Sequence, residues 1–159
     1  MLRDAVPDDA DAVAAIYNES VAARDSTMQL APVSPGRVRT RIKTLGAREA
    51  LLVVEDTALV GWGTVKRYSD RGGYRRTAET AVYVRRDRTE EGIGSQIQAA
   101  LIERSRAFGD HHLVAKVWAD NAASIALHRR FGYEDVGVQR EIGRVDGEWK
   151  DVLILQKLL

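Results

Sequence analysis

Two glycines one residue apart, Gly92 and Gly94, stand where a strand pattern gives way to a long helical pattern. The strand pattern ends in Val82-Tyr83-Val84, and the charged segment 85–91 separates it from the glycines. A turn of this kind presents backbone N–H groups and the positive end of a helix dipole to one point, which favours an anion. The long helical pattern that follows, with the carboxylate of Glu79 just upstream, indicates a cofactor's pyrophosphate and chemistry along this strand.

The composition is that of an ordinary globular protein and argues against several classes of function. The 159 residues are enough for one domain, residues 1–159, with a single well-developed core. A net charge of +1 gives no global field that would favour nucleic acid as a partner. The absence of cysteine removes disulfides, thiol nucleophiles and thiolate metal sites together. Without a membrane-length apolar run or a signal-peptide pattern, we expect a soluble cytoplasmic protein with no membrane partner.

Hydrophobic periodicity predicts an α/β chain with a mixed sheet. The predicted order is strand, two helices, three strands, helix, strand, helix and two strands. The ends of these elements are set by turn and cap residues, among them Pro7, Ser34-Pro35 and Asp146-Gly147. The predicted helices are 7–23, 34–45, 93–108 and 121–131, and the predicted strands are 2–6, 50–55, 59–66, 77–84, 113–118, 134–142 and 150–158.

Several segments in this order resemble the GCN5-related N-acetyltransferases (GNAT), which bind acetyl-coenzyme A. They are the strand and Gly-x-Gly turn described above, the segment Asn121 to His128, and Phe131-Gly132-Tyr133. Thr77-Ala78-Glu79 and Trp149-Lys150-Asp151 are similar, more narrowly, to the branch that acetylates phosphinothricin and methionine sulfoximine. The resemblance covers essentially the whole chain. It implies the GNAT fold, a single domain with a mixed, mostly antiparallel sheet of about seven strands flanked by about four helices.

The same resemblance implies which residues hold acetyl-coenzyme A, and it implies no metal. Backbone amides around Val82 to Val84 are the implied oxyanion donors, whereas the side chains there are expected in the core. Asn121 matches an asparagine that holds the pantetheine arm, although an Asn is equally natural there as a helix N-cap. The implied cofactor-binding residues are Val82, Tyr83, Val84, Thr89, Glu90, Glu91, Gly92, Ile93, Gly94, Ser95, Asn121 and Ser124.

The turn departs from the family pattern at three positions. Thr89 stands where Arg or Gln is usual, and Glu90 and Glu91 fill positions that are often basic. Backbone N–H donors do not depend on side-chain identity, so we expect the pyrophosphate cradle to survive. The acids repel a polyanion, yet each also favours the helix dipole by about 0.3–1 kcal/mol when exposed. The expected result is an intact cofactor site of somewhat weakened affinity.

Two titratable side chains are predicted to carry the chemistry. Acetyl transfer to an amine needs a neutral amine, a stabilised oxyanion, and a proton or hydrogen bond for the departing thiolate. Glu79 matches the family's general base; the alternative is a surface glutamate paired with Arg75 or Arg76. His128 stands where many members place a tyrosine at the coenzyme A sulfur, and it is predicted to donate a hydrogen bond to the thiolate. The alternative for His128 is a structural or exposed helix histidine.

The acceptor site is predicted around the basic loop 66–76. Arg67 and Arg75 align with arginines of the branch, and a guanidinium suits a carboxylate or phosphinate that accepts two parallel hydrogen bonds. Tyr68 lies beside them in sequence, and Met28 falls where relatives often carry an aromatic residue that walls the pocket. The alternative is a solvated basic loop with no ligand.

The predicted activity is transfer of acetyl to the α-amine of a small amino acid or analogue by direct attack in a ternary complex, since no cysteine exists to form an acyl-enzyme. Trp149 and Asp151 lie in the terminal hairpin, where family members often dimerise, so a homodimer is expected. Two other functions remain open: acetylation of a protein N-terminus or polyamine, and non-catalytic sensing of coenzyme A.

Overall fold

The computed structural model describes all residues, Met1–Leu159, and has a seven-stranded sheet at its centre. The spatial order is β1-β2-β3-β4-β5-β7-β6, and every neighbouring pair is antiparallel except β4 with β5. The predicted mixed, mostly antiparallel sheet with four helices is therefore confirmed. The strands are β1 (Leu2–Asp4), β2 (Ala50–Glu55), β3 (Leu59–Arg67), β4 (Thr77–Val84), β5 (His112–Trp118), β6 (Glu134–Val145) and β7 (Glu148–Leu158).

Four helices cover the two faces of the sheet: α1 (Ala10–Ala23), α2 (Pro35–Lys43), α3 (Ile93–Ala107) and α4 (Ala122–Arg130). The two faces are packed by separate apolar clusters, one under α3 and one under α1 and α2. Strand β2 contributes to both clusters, which explains its nearly continuous apolar sequence. None of the helices has the length and apolar character needed to cross a membrane.

Glycines in β3 let α3 pack closely on the sheet. A Cβ atom at Gly61 would lie 2.9 Å from Ile93 Cγ2, and one at Gly63 would lie 2.9 Å from Leu101 Cδ1. Such distances are shorter than side chains tolerate, so a larger residue at either position would push α3 away. These glycines thus fix the position of the α3 N-terminus against the strands.

Five predicted boundaries were wrong by two or three residues, among them the end of β1, which is Asp4 and not residue 6, and the start of β7, which is Glu148 and not residue 150. The first helix begins at Ala10, because residues 7–9 form a short 3₁₀ turn. The second helix ends at Lys43 and excludes Leu45, because the Thr44 hydroxyl donates to the Thr40 carbonyl at 2.8 Å and caps the last turn. Strand β6 continues past residue 142 to Val145, since a register shift between 139 and 143 interrupts the alternation without ending the strand.

Candidate functional site

The central feature of the site is the divergence of β4 from β5. The two strands pair only from Thr77 with His112 to Glu79 with Val114. Beyond Glu79, β4 stays paired with β3 on its other side, and β5 stays paired with β7 as far as Trp118. The edge of β4 that faces β5 therefore leaves backbone hydrogen-bonding groups free for a ligand.

A cavity of about 650 Å³ fills the gap between these strands. Its walls come from β4, the turn after it, the start of α3, strand β5, and α4 with the residues before it. Of the residues predicted for cofactor binding, three do not line this cavity: Glu91, Gly92 and Ser95. The predicted residues that do line it are Val82, Tyr83, Val84, Thr89, Glu90, Ile93, Gly94, Asn121, Ser124 and His128.

One end of the cavity, which we call the helix end, is lined by Thr89, Glu90, Ile93 and Gly94 with Asn121. Gly92 caps α3 with φ +80°, a left-handed conformation that favours glycine. At Gly94 a Cβ atom would lie 3.3 Å from Leu127 Cδ2, so a larger residue would crowd the contact between α3 and α4. The first N–H groups of a helix have no partner within the helix and carry the positive end of its dipole. The helix end thus presents backbone donors of the kind that suit an anion.

The two acids beside the glycines have different surroundings. Glu91 pairs with Arg88, whose Nε lies 2.8 Å from the carboxylate. Arg88 also contacts Asp56 at 3.2 Å, so Glu91 belongs to a surface ion-pair network. Glu90 adopts a left-handed backbone conformation with φ +67° and lines the cavity. Only Glu90 therefore presents a free carboxylate to an anion at the helix end.

Glu79, Lys66 and Lys116 form a cluster that we call the lysine end, and of the three only Lys116 lines the cavity. Lys66 Nζ lies 2.8 Å from one Glu79 oxygen, and Lys116 Nζ lies 3.0 Å from the other. The Glu79 side chain is 14% exposed. Burial raises the pKa of Glu79, but the two ammonium groups outweigh burial and hold it below its ordinary value. Glu79 is therefore a carboxylate at neutral pH.

The alternative partners proposed for Glu79 from sequence are wrong. Arg76 donates to the Gly109 carbonyl at 2.7 Å, and Arg75 lies at a different depression of the surface. The lysines reach Glu79 from the strands on either side of β4, at positions 13 residues before it and 37 residues after it in the chain. Long-range strand pairing, not the nearby loop, supplies the partners.

His128 is buried in the wall of the cavity, with 3% of its surface exposed. Its Nδ1 lies 2.7 Å from the Ser124 carbonyl oxygen, which can only accept, so Nδ1 carries the hydrogen. Burial lowers the pKa of His128, with the hydrogen bond to Ser124 opposing it. The imidazole is thus neutral, and Nε2, which has no partner, offers a lone pair. The geometry favours His128 as an acceptor of a hydrogen bond, whereas the sequence predicted a donor.

Tyr83 belongs to the apolar packing on the α1 side, as predicted for the side chains of this strand. Its ring stacks on Trp62 with centroids 4.6 Å apart and meets Tyr17 edge-on at 5.1 Å. Burial raises the pKa of Tyr83 well above its ordinary value. Tyr83 therefore stays protonated and contributes shape, not charge, to the cavity wall.

The residues predicted for acceptor binding are not brought to this cavity. Arg67 and Arg75 line a separate depression of about 370 Å³, where Arg67 also pairs with Asp70 at 3.1 Å. Tyr68 is exposed and meets Tyr74 edge-on at 5.2 Å. Met28 packs against the terminal hairpin, next to the backbone of Gly143. None of these four residues lines the cavity between β4 and β5.

Sequence reasoning missed Lys116, which lines the cavity and contacts Glu79. A signal for it exists, because Lys116 is a single charged residue in the otherwise apolar run Leu113–Trp118. A lysine in the middle of a buried strand is uncommon and points to a partner or a ligand. The partner itself depends on strand pairing, which the sequence pattern does not specify.

Comparison with known proteins agrees with this arrangement. The chain matches the family described as acetyltransferase (GNAT) domain over residues 2–154. It is 37% identical over 159 residues to the L-methionine sulfoximine/L-methionine sulfone acetyltransferase of Pseudomonas aeruginosa, covering 98% of this chain and 92% of that protein.

Two solved structures show the same fold at similar identity. The phosphinothricin acetyltransferase of Sinorhizobium meliloti in complex with acetyl-coenzyme A superimposes with a TM-score of 0.94 and 30% identity, covering 100% of this chain and 88% of that one. The ribosomal-protein-alanine N-acetyltransferase of Brucella melitensis gives 0.93 and 33%, covering 100% and 99%. The diverging strands, the glycine turn before α3 and these similarities together show that the chain belongs to the GNAT family of acetyltransferases.

Proposed function

We propose that the protein transfers acetyl from acetyl-coenzyme A to the α-amine of a small amino acid or analogue such as methionine sulfone, methionine sulfoximine or phosphinothricin. The transfer is direct attack within a ternary complex, without an acyl-enzyme. The observation that carries the proposal is Glu79, held as a carboxylate beside a cavity whose far end is an anion-binding helix terminus. Residues 1–159 act as one domain in this proposal, and a cytoplasmic location stays a prediction from the sequence.

The residues of the helix end fit the pyrophosphate of acetyl-coenzyme A. The free amides at the start of α3 accept a polyanion without help from side chains. Asn121 caps α4, since its Oδ1 accepts from the Ser124 amide at 3.2 Å, and its side-chain NH₂ makes no hydrogen bond within the chain. That NH₂ group is free to hold the pantetheine arm. Bound in this way, acetyl-coenzyme A supplies the activated acetyl thioester.

Glu79 acts as the general base in this proposal. A carboxylate held ionised can take a proton from the incoming ammonium, directly or through a water, while two of its acceptor positions remain free beside the lysines. The unpaired edge of β4 beyond Glu79 offers backbone N–H groups to the oxyanion that forms on the thioester carbon. Base and oxyanion donors thus lie on the same strand.

His128 acts in its neutral form. With Nδ1–H bound to the Ser124 carbonyl, Nε2 cannot donate to the thiolate, so the departing sulfur takes the second proton of the attacking amine, the first having gone to Glu79. Nε2 can then accept a hydrogen bond from the thiol of the coenzyme A product. The unpaired, buried Nε2 indicates that a ligand satisfies it when the cavity is filled. His128 is therefore proposed to position the sulfur end of the cofactor.

A homodimer through the β6–β7 hairpin is also proposed. Strand β6 is an edge strand, and the hairpin exposes Val136, Val138, Ile142 and Trp149, each more than half exposed. Exposed apolar side chains on a long edge strand favour association with another chain. Sedimentation velocity of Val138→Lys should show monomer where the parent chain shows dimer. Val6→Lys, at an exposed valine outside the hairpin, should leave the dimer intact.

One observation favours a second acceptor class, the N-terminus of a protein. The solved ribosomal-protein-alanine acetyltransferase is about as similar to this chain as the amino-acid enzymes are. A thiol-release assay with a panel of amino acids, polyamines and peptides that begin with alanine separates these acceptors. Turnover confined to free amino acids supports the proposal, and turnover confined to peptides or polyamines contradicts it. Tight binding of acetyl-coenzyme A with no turnover would instead indicate a sensor.

A further inference from the structure

The residues predicted to bind the acceptor's carboxylate, Arg67 and Arg75, do not line the cavity, so another cation is needed there. Arg67 and Arg75 face the second depression, together with the carboxylates of Glu49, Asp70 and Asp110. The ammonium and the carboxylate of an α-amino acid are attached to one carbon. If the amine lies at Glu79, the positive group that binds the acceptor's carboxylate must therefore lie close to the Glu79 side chain. That group must therefore belong to the cavity between β4 and β5.

Two of the cations that line this cavity are already engaged. Arg86 forms a two-pronged pair with Asp25, with one N···O distance of 2.8 Å. Arg88 is bound to Glu91 and Asp56. Neither guanidinium contacts Glu79, so neither is placed for a carboxylate on the same carbon as an amine bound there. His128 is neutral and Lys66 does not line the cavity, so Lys116 is the cation that remains in the cavity wall.

Lys116 is well placed for a ligand. Its backbone is fixed in β5 opposite Ile154 of β7, between the buried residues Ala115 and Val117. Its side chain is 51% exposed, and its ammonium makes one ion pair, to Glu79. An ammonium has three donors, so two stay available. The lysine thus combines a rigid attachment with free hydrogen-bonding capacity.

We propose that Lys116 binds the carboxylate of the acceptor while Glu79 binds its amine, so that the enzyme selects free α-amino acids. Lys116 Nζ and Glu79 Oε1 are 3.0 Å apart, which presents a positive and a negative group to the opposite charges of one amino-acid head group. The inference rests on the proposed acetyl transfer at Glu79 and adds the residue that recognises the acceptor.

The pairing has a consequence for specificity. An acceptor whose carboxyl group is converted to an amide or an ester lacks the negative charge that would pair with the Lys116 ammonium. The first residue of a peptide is in the same position, since its carboxyl group is part of a peptide bond. Lys116 therefore favours free amino acids over protein N-termini, which separates the two acceptor classes by a single ammonium group.

Calorimetric binding of acceptors to the full chain loaded with coenzyme A tests this role without turnover. The probes are L-methionine sulfone and its carboxamide, and the variants are Lys116→Met and Lys116→Arg. Loss of a charge-assisted contact should weaken binding of the free acid by about 10- to 100-fold in Lys116→Met. Binding of the carboxamide should change by less than about threefold, and Lys116→Arg should recover most of the affinity for the acid. Lys43→Met, at an exposed lysine in the last turn of α2, should match the parent chain for both probes.

Three results would overturn the inference. Equal weakening of both probes in Lys116→Met would mean that the lysine acts through Glu79 or through the fold. Selective loss of the free acid in Arg75→Met, with no loss in Lys116→Met, would place the carboxylate at the second depression. Absence of binding of either probe to the parent chain would remove the amino-acid head group from this site. Acetyl transfer itself is judged separately, by turnover of the amine panel, so the two proposals can fail independently.

Discussion

The two ends of the cavity are constructed in different ways. The helix end uses backbone amides, a left-handed glycine and the start of α3, all within one short stretch of chain. The lysine end uses side chains from β3, β4 and β5, which come together only because these strands are neighbours in the sheet. A site of the first kind is largely independent of side-chain identity, whereas one of the second kind depends on single residues.

This difference predicts opposite sensitivities for binding and catalysis. Changes at the helix end should alter the affinity for acetyl-coenzyme A and leave the chemical step unchanged. Changes at the lysine end should alter the rate, its pH dependence or the acceptor affinity and leave cofactor binding unchanged. Any variant that mixes the two effects would weaken the division.

The largest effect is expected for Glu79→Gln. Loss of a positioned general base should lower kcat by about 10²- to 10⁴-fold, and the affinity for acetyl-coenzyme A should stay within about threefold. Steady-state thiol release and calorimetric titration of the same preparation measure both quantities. The matched control is Glu103→Gln, an exposed α3 glutamate paired with Arg106, which should behave as the parent chain does. An unchanged kcat in Glu79→Gln would remove Glu79 from the mechanism.

A smaller effect, of the opposite type, is expected for Gly94→Val. The added side chain would crowd Leu127 where α3 approaches α4 and would take up space in the cavity that Gly94 lines. We expect the Kd for acetyl-coenzyme A to rise by about 10- to 100-fold, with kcat at saturating cofactor much less affected. Gly72→Val, at a loop glycine with open space around it, serves as the control. A fall in kcat without a change in Kd would contradict the proposal that the helix end binds the cofactor and takes no part in the chemical step.

The pH profile should respond to Lys66→Met. In the parent chain two ammonium groups hold the pKa of Glu79 below its ordinary value, so the base is lost only as pH falls through that lowered pKa. Removing Lys66 leaves burial, which raises the pKa, opposed by Lys116 alone. The acid limb of kcat/KM should therefore move to higher pH. Tyr83, a further titratable group near Glu79, has a raised pKa and should not contribute to this limb. A limb that stays in place, or moves to lower pH, would show that Lys66 does not set the ionisation of the base.

The smallest effect is expected at the two acids of the turn. Glu90→Gln removes the carboxylate that lines the cavity and should tighten acetyl-coenzyme A binding by about two- to fivefold, as expected for an exposed charge near a helix terminus. Glu91→Gln is the matched comparison, because Glu91 is already paired with Arg88 and should change the Kd by less than about twofold. Equal effects of both changes would mean that the ion pair does not shield Glu91.

The contrast between the two ends also explains which features of the site could be predicted from the sequence. The strand, the glycine turn and α3 follow from local periodicity and turn chemistry, and their predicted positions agree with the structure to within a residue or two. The pairing of β6 with β7 was also predictable, since Asp146-Gly147 supplies the turn. Information of this kind lies within short windows of the chain.

The lysine end shows what local patterns leave out. Glu79 was identified through family resemblance, but its partners were sought in the adjacent loop, at Arg75 and Arg76. The true partners are adjacent through sheet order, in which β5 returns next to β4 after α3 has crossed over. The tautomer of His128 was equally hidden, because it depends on the distance from Nδ1 to the Ser124 carbonyl.

The central claim, that acetyl-coenzyme A binds between β4 and β5 with its pyrophosphate at the start of α3, is tested most directly by amide chemical-shift mapping. The chain of 17.6 kDa suits ¹⁵N spectra recorded during a titration with acetyl-coenzyme A. We expect the largest shifts at the amides of residues 82–84, 92–96 and 121–124, and small ones at residues 67–75. Shifts centred on residues 67–75, or none at millimolar acetyl-coenzyme A, would contradict the account.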